Sequence, residues 1–285
     1  MLNKTRVFVA GHKGMVGSAI LKKFQKNSKY KLLYEDKNKL DLTDQSSVFK
    51  YLKKKRPDGV ILAAAKVGGI VANNTDRASF IYDNISIQSN VIHGSYLAGV
   101  KNLIFLGSSC IYPKFCKQPI KENYLLSDYL ESTNEPYAIA KIAGLKMCEN
   151  YSSQYNLNYK TLMPCNAYGE NDNYNSRNSH FFPALIKKII DAIKNNKDYI
   201  VLWGNGKSRR ELIFSEDIAS ACIFFLRKKT KSKIFNIGSG MEYSIEQYAK
   251  LIMKHLKVNL RIIYDSKRPN GTFKKLLDSS LAKNN

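Results

Sequence analysis

This 285-residue sequence predicts an α/β fold with a doubly wound parallel sheet and a smaller α/β region on its C-terminal side. Three observations predict it. Short, nearly all-apolar strands alternate with helical stretches through the first 164 residues. Strands of that kind are buried on both faces by helices. A glycine-rich turn, Gly11-His12-Lys13-Gly14-Met15-Val16-Gly17, joins the first strand to the first helix. Past Pro164 the strand-like units become shorter, as expected of a separate, smaller layer built at one edge of the sheet.

The elements follow in order. Arg6–Ala10 reads as a buried strand, and the helix after the turn runs from Ser18 to Lys26. Lys31–Tyr34 is a second strand. Gly59–Ala65 is a third, followed by Gly68-Gly69. A helix spans Ala78–Ala98, and Asn102–Gly107 is the next strand. Tyr137–Tyr155 reads as a long helix. Tyr159–Met163 is a strand that ends at Pro164, whose ring removes a ladder donor. Phe182–Lys188, Ile200–Gly204 and Phe235–Gly240 are the shorter later units. The predicted division is 1–164 for a dinucleotide-binding domain, with returning segments near 210–238. Residues 165–209 and 239–285 then form the substrate-binding region.

Composition narrows the class. With 44% hydrophobic and 24% charged residues, the chain can bury one large or two modest cores. It has no apolar run long enough to span a membrane. The start, Met1-Leu2-Asn3-Lys4-Thr5-Arg6, enters a strand without the apolar stretch of a signal peptide. Five cysteines, an odd number without framework spacing, argue against a disulfide scaffold and for a reducing cytoplasm. The net charge of +23 comes from 46 Lys and Arg against 23 Asp and Glu. The basic residues are scattered and no recognition motif organises them, so a solvated surface is favoured over a nucleic-acid footprint. The same field favours anionic small molecules such as a dinucleotide or a nucleotide-sugar. Neither a metal site nor a membrane partner is expected.

Two motifs carry chemistry. In the Gly11–Gly17 turn, glycines permit a tight bend and close approach of a pyrophosphate to backbone N–H groups at a helix N-terminus. That is the fingerprint of a Rossmann-type dinucleotide site. An acid after the second strand bonds ribose hydroxyls, whereas a basic residue accepts a 2′-phosphate. Here Glu35 and Asp36 stand against Lys37 and Lys13; the two lysines favour NADP(H). Asp41-Leu42 is placed near the adenine.

The second motif opens with Gly107-Ser108-Ser109-Cys110-Ile111-Tyr112-Pro113 after an apolar strand. It closes with Tyr137-Ala138-Ile139-Ala140-Lys141, where Tyr137 and Lys141 lie on one helix face. An ammonium beside a phenol is expected to lower the phenol pKa. With the Ser108 hydroxyl, the pair delivers a proton to a carbonyl. Together the motifs predict hydride chemistry on a ketone or alcohol. Cys110 reads either as a small buried hydrophobe or as an acid–base group. His180 reads either as structural or as functional. Cys116, Cys148, Cys165 and Cys222 read as structural.

On these residues the chain resembles the extended short-chain dehydrogenase/reductases and, among them, the GDP-L-fucose synthase family. The matching stretches are Gly11–Ile20, Ala64–Asn74, Gly107–Lys114, Thr133–Gly144, Asn178–His180 and Trp203-Gly204 through Arg210-Glu211. The resemblance implies a cytoplasmic, homodimeric, NADPH-dependent enzyme acting on a GDP-4-keto-6-deoxy sugar. It would epimerise C3 and C5 and then reduce C4. Reduction of a related GDP-4-keto sugar, such as a heptose, without epimerisation is the alternative. The resemblance gives Tyr137 the proton donor's role, Lys141 the ribose and the tuning of Tyr137, and Ser108 the carbonyl. Cys110 and His180 become the epimerising base and acid. Leu106, Gly107, Ser108, Ser109, Lys141, Pro164, Cys165, Asn166, Ala167 and His180 join the cofactor site. Lys188, Trp203, Arg210 and Asn270 hold the substrate. Asn270 stands where the family has Asp, and Cys165 and Ala167 replace the usual residues of their segment. Family members normally continue for roughly another helix or two past the position of Asn285. A dehydratase would carry Thr-Asp-Glu-type acids where this chain has Ser108-Ser109-Cys110.

Overall fold

The computed structural model describes residues 4–175, 179–267 and 272–285. The first half alternates β1 (Thr5–Ala10), α1 (Met15–Gln25), β2 (Tyr30–Leu33), α2 (Gln45–Lys55), β3 (Gly59–Leu62), α3 (Ile70–Thr75) and α4 (Arg77–Leu97). Next come β4 (Asn102–Leu106), α5 (Glu135–Tyr155), β5 (Asn158–Pro164), β6 (Asn166–Tyr168), α6 (Phe181–Lys194), β7 (Tyr199–Trp203) and β8 (Arg209–Phe214). The chain ends with α7 (Ser215–Arg227), β9 (Ile234–Ile237), β10 (Glu242–Ser244), α8 (Ile245–His255), β11 (Arg261–Asp265), β12 (Lys274–Lys275) and α9 (Ser280–Lys283).

Six strands form one sheet in the order β2-β1-β3-β4-β5-β9, every pair parallel. The apolar strands are buried as their sequence demands: Val7, Phe8, Val9, Val60, Ile61, Leu62, Leu103, Ile104, Phe105, Leu162 and Phe235 have almost no exposure. Two helix layers cover them, α1 packed on α7 and α4 packed on α2 and α5. The chain order reverses between β1 and β3, which are neighbours in the sheet. Ligands of such sheets bind beyond the strand C-termini at that reversal.

Several boundaries differ from the sequence reading. Helix α1 starts at Met15 rather than Ser18, so Gly17 lies inside its first turn. Strand β3 stops at Leu62. Just beyond it, the Asn84 amide takes over the pairing, accepting from Lys66 N at 2.9 Å and donating to Lys66 O at 3.0 Å. Helix α2 went unread because it buries only Val48 and Leu52 and ends in three lysines. Its start is nevertheless marked, since the Asp44 side chain accepts from Ser47 N.

A second, smaller core gathers Leu185 and Ile189 of α6, Ile200 and Leu202 of β7, and Tyr248, Ala249 and Met253 of α8. Strand β7 pairs with β11. Strand β8 pairs antiparallel with β10 and parallel with β6 and β12. Residues 209–214 therefore sit in the small sheet, while α7 and β9 return to the large one.

Two glycines are sterically required where β1 meets α1. Gly11 has φ +89°, and a Cβ there would stand 2.5 Å from Ala64 N. A Cβ on Gly17 would stand 2.0 Å from the Gly11 carbonyl oxygen. Gly14 is different, with its nearest neighbour 3.5 Å from a built Cβ. Gly17→Ala should therefore destabilise the fold by about 1–3 kcal/mol in denaturant melts, with Gly14→Ala close to the unsubstituted chain. Equal midpoints for the two variants would contradict this reading of the turn.

Candidate active site

The glycine turn makes a cradle at the N-terminus of α1. Gly14 caps the helix with extended backbone and no side-chain hydrogen bond, leaving the first-turn N–H groups for an anion. The open space beside Gly14 is what a pyrophosphate needs, and an added Cβ would intrude on it. The turn thus fits a dinucleotide.

Beyond β2 the charges are arranged less simply than the sequence implies. Lys13 Nζ lies 2.8 Å from Asp36 Oδ1, and His12 Nε2 lies 3.2 Å from the same oxygen. The Lys13 ammonium holds the Asp36 carboxyl below its ordinary pKa. Asp41 accepts from Thr43 N at 2.9 Å and Thr43 Oγ1 at 2.8 Å, so its carboxylate shapes its own turn. Lys37, exposed beside it, adds to the lowering of the Asp41 pKa. The Leu42 carbonyl accepts from the Asn90 amide at 3.0 Å, tying this turn to α4.

Strand β4 ends at Leu106. Gly107 N donates to Leu162 O at 2.9 Å, and Ser108 leaves the sheet with extended backbone. The Ser108 Oγ accepts from Cys110 N at 3.1 Å and closes a short turn over Ser109–Ile111. Tyr112, fully buried, donates from its hydroxyl to Asn236 Oδ1 at 2.7 Å and anchors that turn to β9. Helix α5 brings Tyr137 and Lys141 against it. The helix begins with Glu135 and Pro136, and Arg77 donates to both Ser132 O and Glu135 Oε2. The buried Gln88 amide of α4 donates to Ala140 O and fixes the helix between the two functional residues.

Lys141 is 3% exposed, donates from Nζ to Leu106 O at 2.7 Å, and lies 5.8 Å from the Tyr137 ring centroid. Burial lowers its pKa to about 7. Tyr137 departs from the sequence expectation: its phenol pKa is raised, not lowered. Desolvation is the main cause, the neighbouring Cys110 adds to it, and Ser108 opposes it. Burial disfavours the Lys141 charge that would support a phenolate, so desolvation of the phenol prevails. The pair is thus poised with the phenol protonated, the form a proton donor needs.

Cys110 behaves in the opposite way. Burial raises its thiol pKa, but Lys275, Ser108 and Arg210 together outweigh burial and bring it below the ordinary value. Lys275 reaches the thiol because β12 pairs in register with β8, placing Lys275 opposite Arg210. Arg210 donates to Arg209 O at 2.8 Å and Thr272 O at 2.6 Å. The other cysteines are free, and burial raises all four, Cys148 and Cys222 to about 12.

His180 caps α6 with extended backbone. It is open to solvent yet crowded by protein on the walls around it, which lowers its imidazole pKa; Asp172 opposes the shift. Lys188 Nζ donates to Val201 O at 3.0 Å and stands 5.1 Å above the Trp203 ring, so these two residues form one cationic-aromatic patch. Pro164 and Cys165 lead from β5 into β6; Cys165 N donates to Ile237 O, and the Asn166 amide donates to Glu211 O. Ala167 continues β6 opposite Ile213. Asn270 lies outside the described residues. The structure therefore gathers Ser108, Cys110, Tyr137, Lys141 and Arg210 in one place, with the glycine turn beyond the neighbouring strands. Sequence reading missed Lys275 and Asp172. Neither lies in a local motif; the pairing of β12 with β8 brings in Lys275, and Asp172 acts on His180 from eight residues away.

A family model for the NAD dependent epimerase/dehydratase family matches residues 7–238. The chain belongs to that family. It is 46% identical over 279 residues to a GDP-L-fucose synthase of Sinorhizobium fredii, covering 98% of this chain and 88% of the relative. It is 44% identical over 286 residues to a GDP-L-fucose synthase of Escherichia coli, covering 97% and 89%. Among solved structures, a GDP-mannoheptose C4 reductase from Campylobacter jejuni with NADP bound superposes with a TM-score of 0.89 at 34% identity, covering 100% and 93% of the two chains. This family member is an NAD(P)-dependent enzyme of the epimerase and reductase type, with the doubly wound fold that its sequence predicts.

Two outcomes follow from the electrostatics. Lys141→Met removes a desolvated amine together with its bond to the Leu106 carbonyl. Between pH 7 and 10 the unfolded lysine holds a proton that the folded one has lost, so the unsubstituted chain gains stability with rising pH. The variant should lack that slope in melts taken across the range. Lys275→Met should raise the Cys110 pKa and move the ascending limb of thiol alkylation against pH to higher pH; an unmoved limb would remove Lys275 from this role.

Proposed function

We propose that this chain is an NADPH-dependent epimerase–reductase that converts GDP-4-keto-6-deoxy-D-mannose to GDP-L-fucose, inverting C3 and C5 before reducing C4. The observation that supports the reading is the cluster around Ser108: its hydroxyl accepts from Cys110 N at 3.1 Å, Tyr137 lies beside it, and Lys275 and Arg210, opposite each other on paired strands, face the Cys110 thiol. A C4 ketone acidifies the C–H bonds at C3 and C5, so one carbonyl serves both steps. Cys110 removes the proton as base, and His180 returns one to the opposite ring face as acid. Ser108 donates a hydrogen bond to the C4 oxygen. The bound dinucleotide supplies the hydride that reduces C4. Tyr137 donates its phenolic proton to the C4 oxygen, and Lys141 holds the nicotinamide ribose.

The Gly11–Gly17 turn, with His12, Met15 and Val16, would hold the pyrophosphate of the dinucleotide, and Lys13 and Lys37 would face its 2′-phosphate. Residues 1–164 with α7 and β9 hold the dinucleotide. The small core of α6, β7 and α8 supports the substrate region, where Lys188, Trp203 and Arg210 take the GDP portion. The enzyme works in the cytoplasm, a reading supported by five free cysteines. It pairs as a homodimer through α4 and α5, whose outer faces carry the exposed Tyr82, Ile85, Leu97, Ile139 and Tyr155. No helix among the described residues is long and apolar enough to cross a membrane.

A second reading is C4 reduction of another GDP-4-keto sugar without epimerisation. The likeness to a GDP-mannoheptose C4 reductase favours it. One experiment separates the two. The protein is given GDP-4-keto-6-deoxy-D-mannose and NADPH in deuterated water, and the product is read by NMR. GDP-L-fucose with deuterium at C3 and C5 is the expected result. A reduced product with no deuterium at those carbons would replace the proposal with the second reading.

A further inference from the structure

We infer that Asp36 narrows the preference of this chain for NADPH over NADH by competing with the 2′-phosphate for Lys13. The inference rests on the reading of the Gly11–Gly17 turn as a dinucleotide site. The adenosine ribose of a dinucleotide so bound lies at the end of the second strand, where an acid suits free hydroxyls and a cation suits a phosphate. This chain places both there and joins them. Lys13 Nζ, in the turn itself, is 2.8 Å from Asp36 Oδ1, and His12 Nε2 is 3.2 Å from the same atom. The His12 ring in turn rests on Tyr34, with centroids 4.8 Å apart.

The backbone that carries the carboxylate is held in place. The Asp36 carbonyl accepts from Lys39 N and Leu40 N, both at 2.9 Å, and Leu40 is buried in the main core. A tight turn therefore presents Asp36 at a fixed point beside Lys13. A 2′-phosphate arriving at Lys13 must displace that carboxylate or accept a second anion beside its own charge. A ribose with free hydroxyls meets neither cost, and Asp36 can accept its hydrogen bonds. Lys37, exposed on the same turn, remains for the phosphate.

Dissociation constants for NADPH and NADH, measured by quenching of intrinsic protein fluorescence, test this without turnover. Asp36→Asn should widen the NADPH preference by about fivefold, the scale of one solvent-exposed charge interaction. Lys13→Ala should narrow it, with melting temperatures of both variants close to the unsubstituted chain. If Asp36→Asn leaves the ratio of the two constants unchanged while both dinucleotides still bind, the inference is overturned and the reading of the turn stands. If neither dinucleotide binds the unsubstituted chain, the reading of the turn fails and the inference fails with it.

Discussion

The position of the reacting groups depends on one buried carboxylate. Glu211, in the middle of β8, has no exposure. Its Oε1 accepts from Gly240 N at 2.7 Å and its Oε2 from Leu277 N at 2.9 Å. Gly238 lies so close that a Cβ there would be 2.4 Å from Oε1. Burial raises the carboxyl pKa and the backbone N–H groups oppose the shift, the usual balance for an acid held in a protein interior. These contacts pin three separate pieces of chain at the C-terminal edge of the large sheet: the segment after β9, strand β8 and the segment after β12. Asn236 continues the seam, donating to Ile120 O and Asp278 O and accepting from the Tyr112 hydroxyl. Cys110 sits two residues before Tyr112, and Lys275 sits two before Leu277. The thiol and the ammonium meet because a network of polar groups, each with a partner, fixes both backbones.

Within that frame desolvation acts on each group differently. Tyr137, partly buried, and Lys141, fully buried, lie on one face of α5, and desolvation drives both toward their neutral forms. Cys110 is only partly buried, and desolvation still opposes its thiolate, but two cations from the small sheet face it and reverse the sign of its shift. The same low-dielectric surroundings therefore keep a phenol protonated and bring a thiol toward thiolate. The difference comes from which element faces each group. Helix α5 offers an amine already bound to the Leu106 carbonyl, while β8 and β12 offer Arg210 and Lys275 across a strand pair. A proton donor and a proton acceptor can thus stand side by side around Ser108.

What the sequence made legible was local. The glycine turn, the Ser108–Cys110 turn and the Tyr137–Lys141 pair each lie within a few residues, and their chemistry follows from spacing on one element. The large sheet was legible for the same reason, since its strands are continuous apolar runs. The small sheet was not. Strands β10 and β12 are three and two residues long, with no apolar alternation to announce them, and they exist only through pairing with β8. Lys275 consequently looked like one surface lysine among many. The direction of the Tyr137 shift was misjudged because helix spacing gives proximity but not burial, and burial decides here. Asp36 and Lys13 were both seen, but as rivals for one role; that they bind each other depends on the turn through Leu40.

This distinction bears on how members of one fold come to act on different sugars. On the proposed reading the glycine turn, Ser108, Tyr137 and Lys141 would serve any 4-keto sugar, because they would engage only the cofactor and the carbonyl. Inversion at the neighbouring carbons asks for more. It needs a base whose pKa is low enough to be ionised and an acid on the far side of the ring. Lys275 and Arg210 of the small sheet favour the Cys110 thiolate, the direction that a base requires. His180, at the start of α6 with Asp172 nearby, faces the second with an imidazole pKa that burial lowers and a carboxylate partly restores. A thiol on the turn after β4 is thus tuned by cations from β8 and β12, so the acid–base character of this site belongs to both sheets at once and to neither alone.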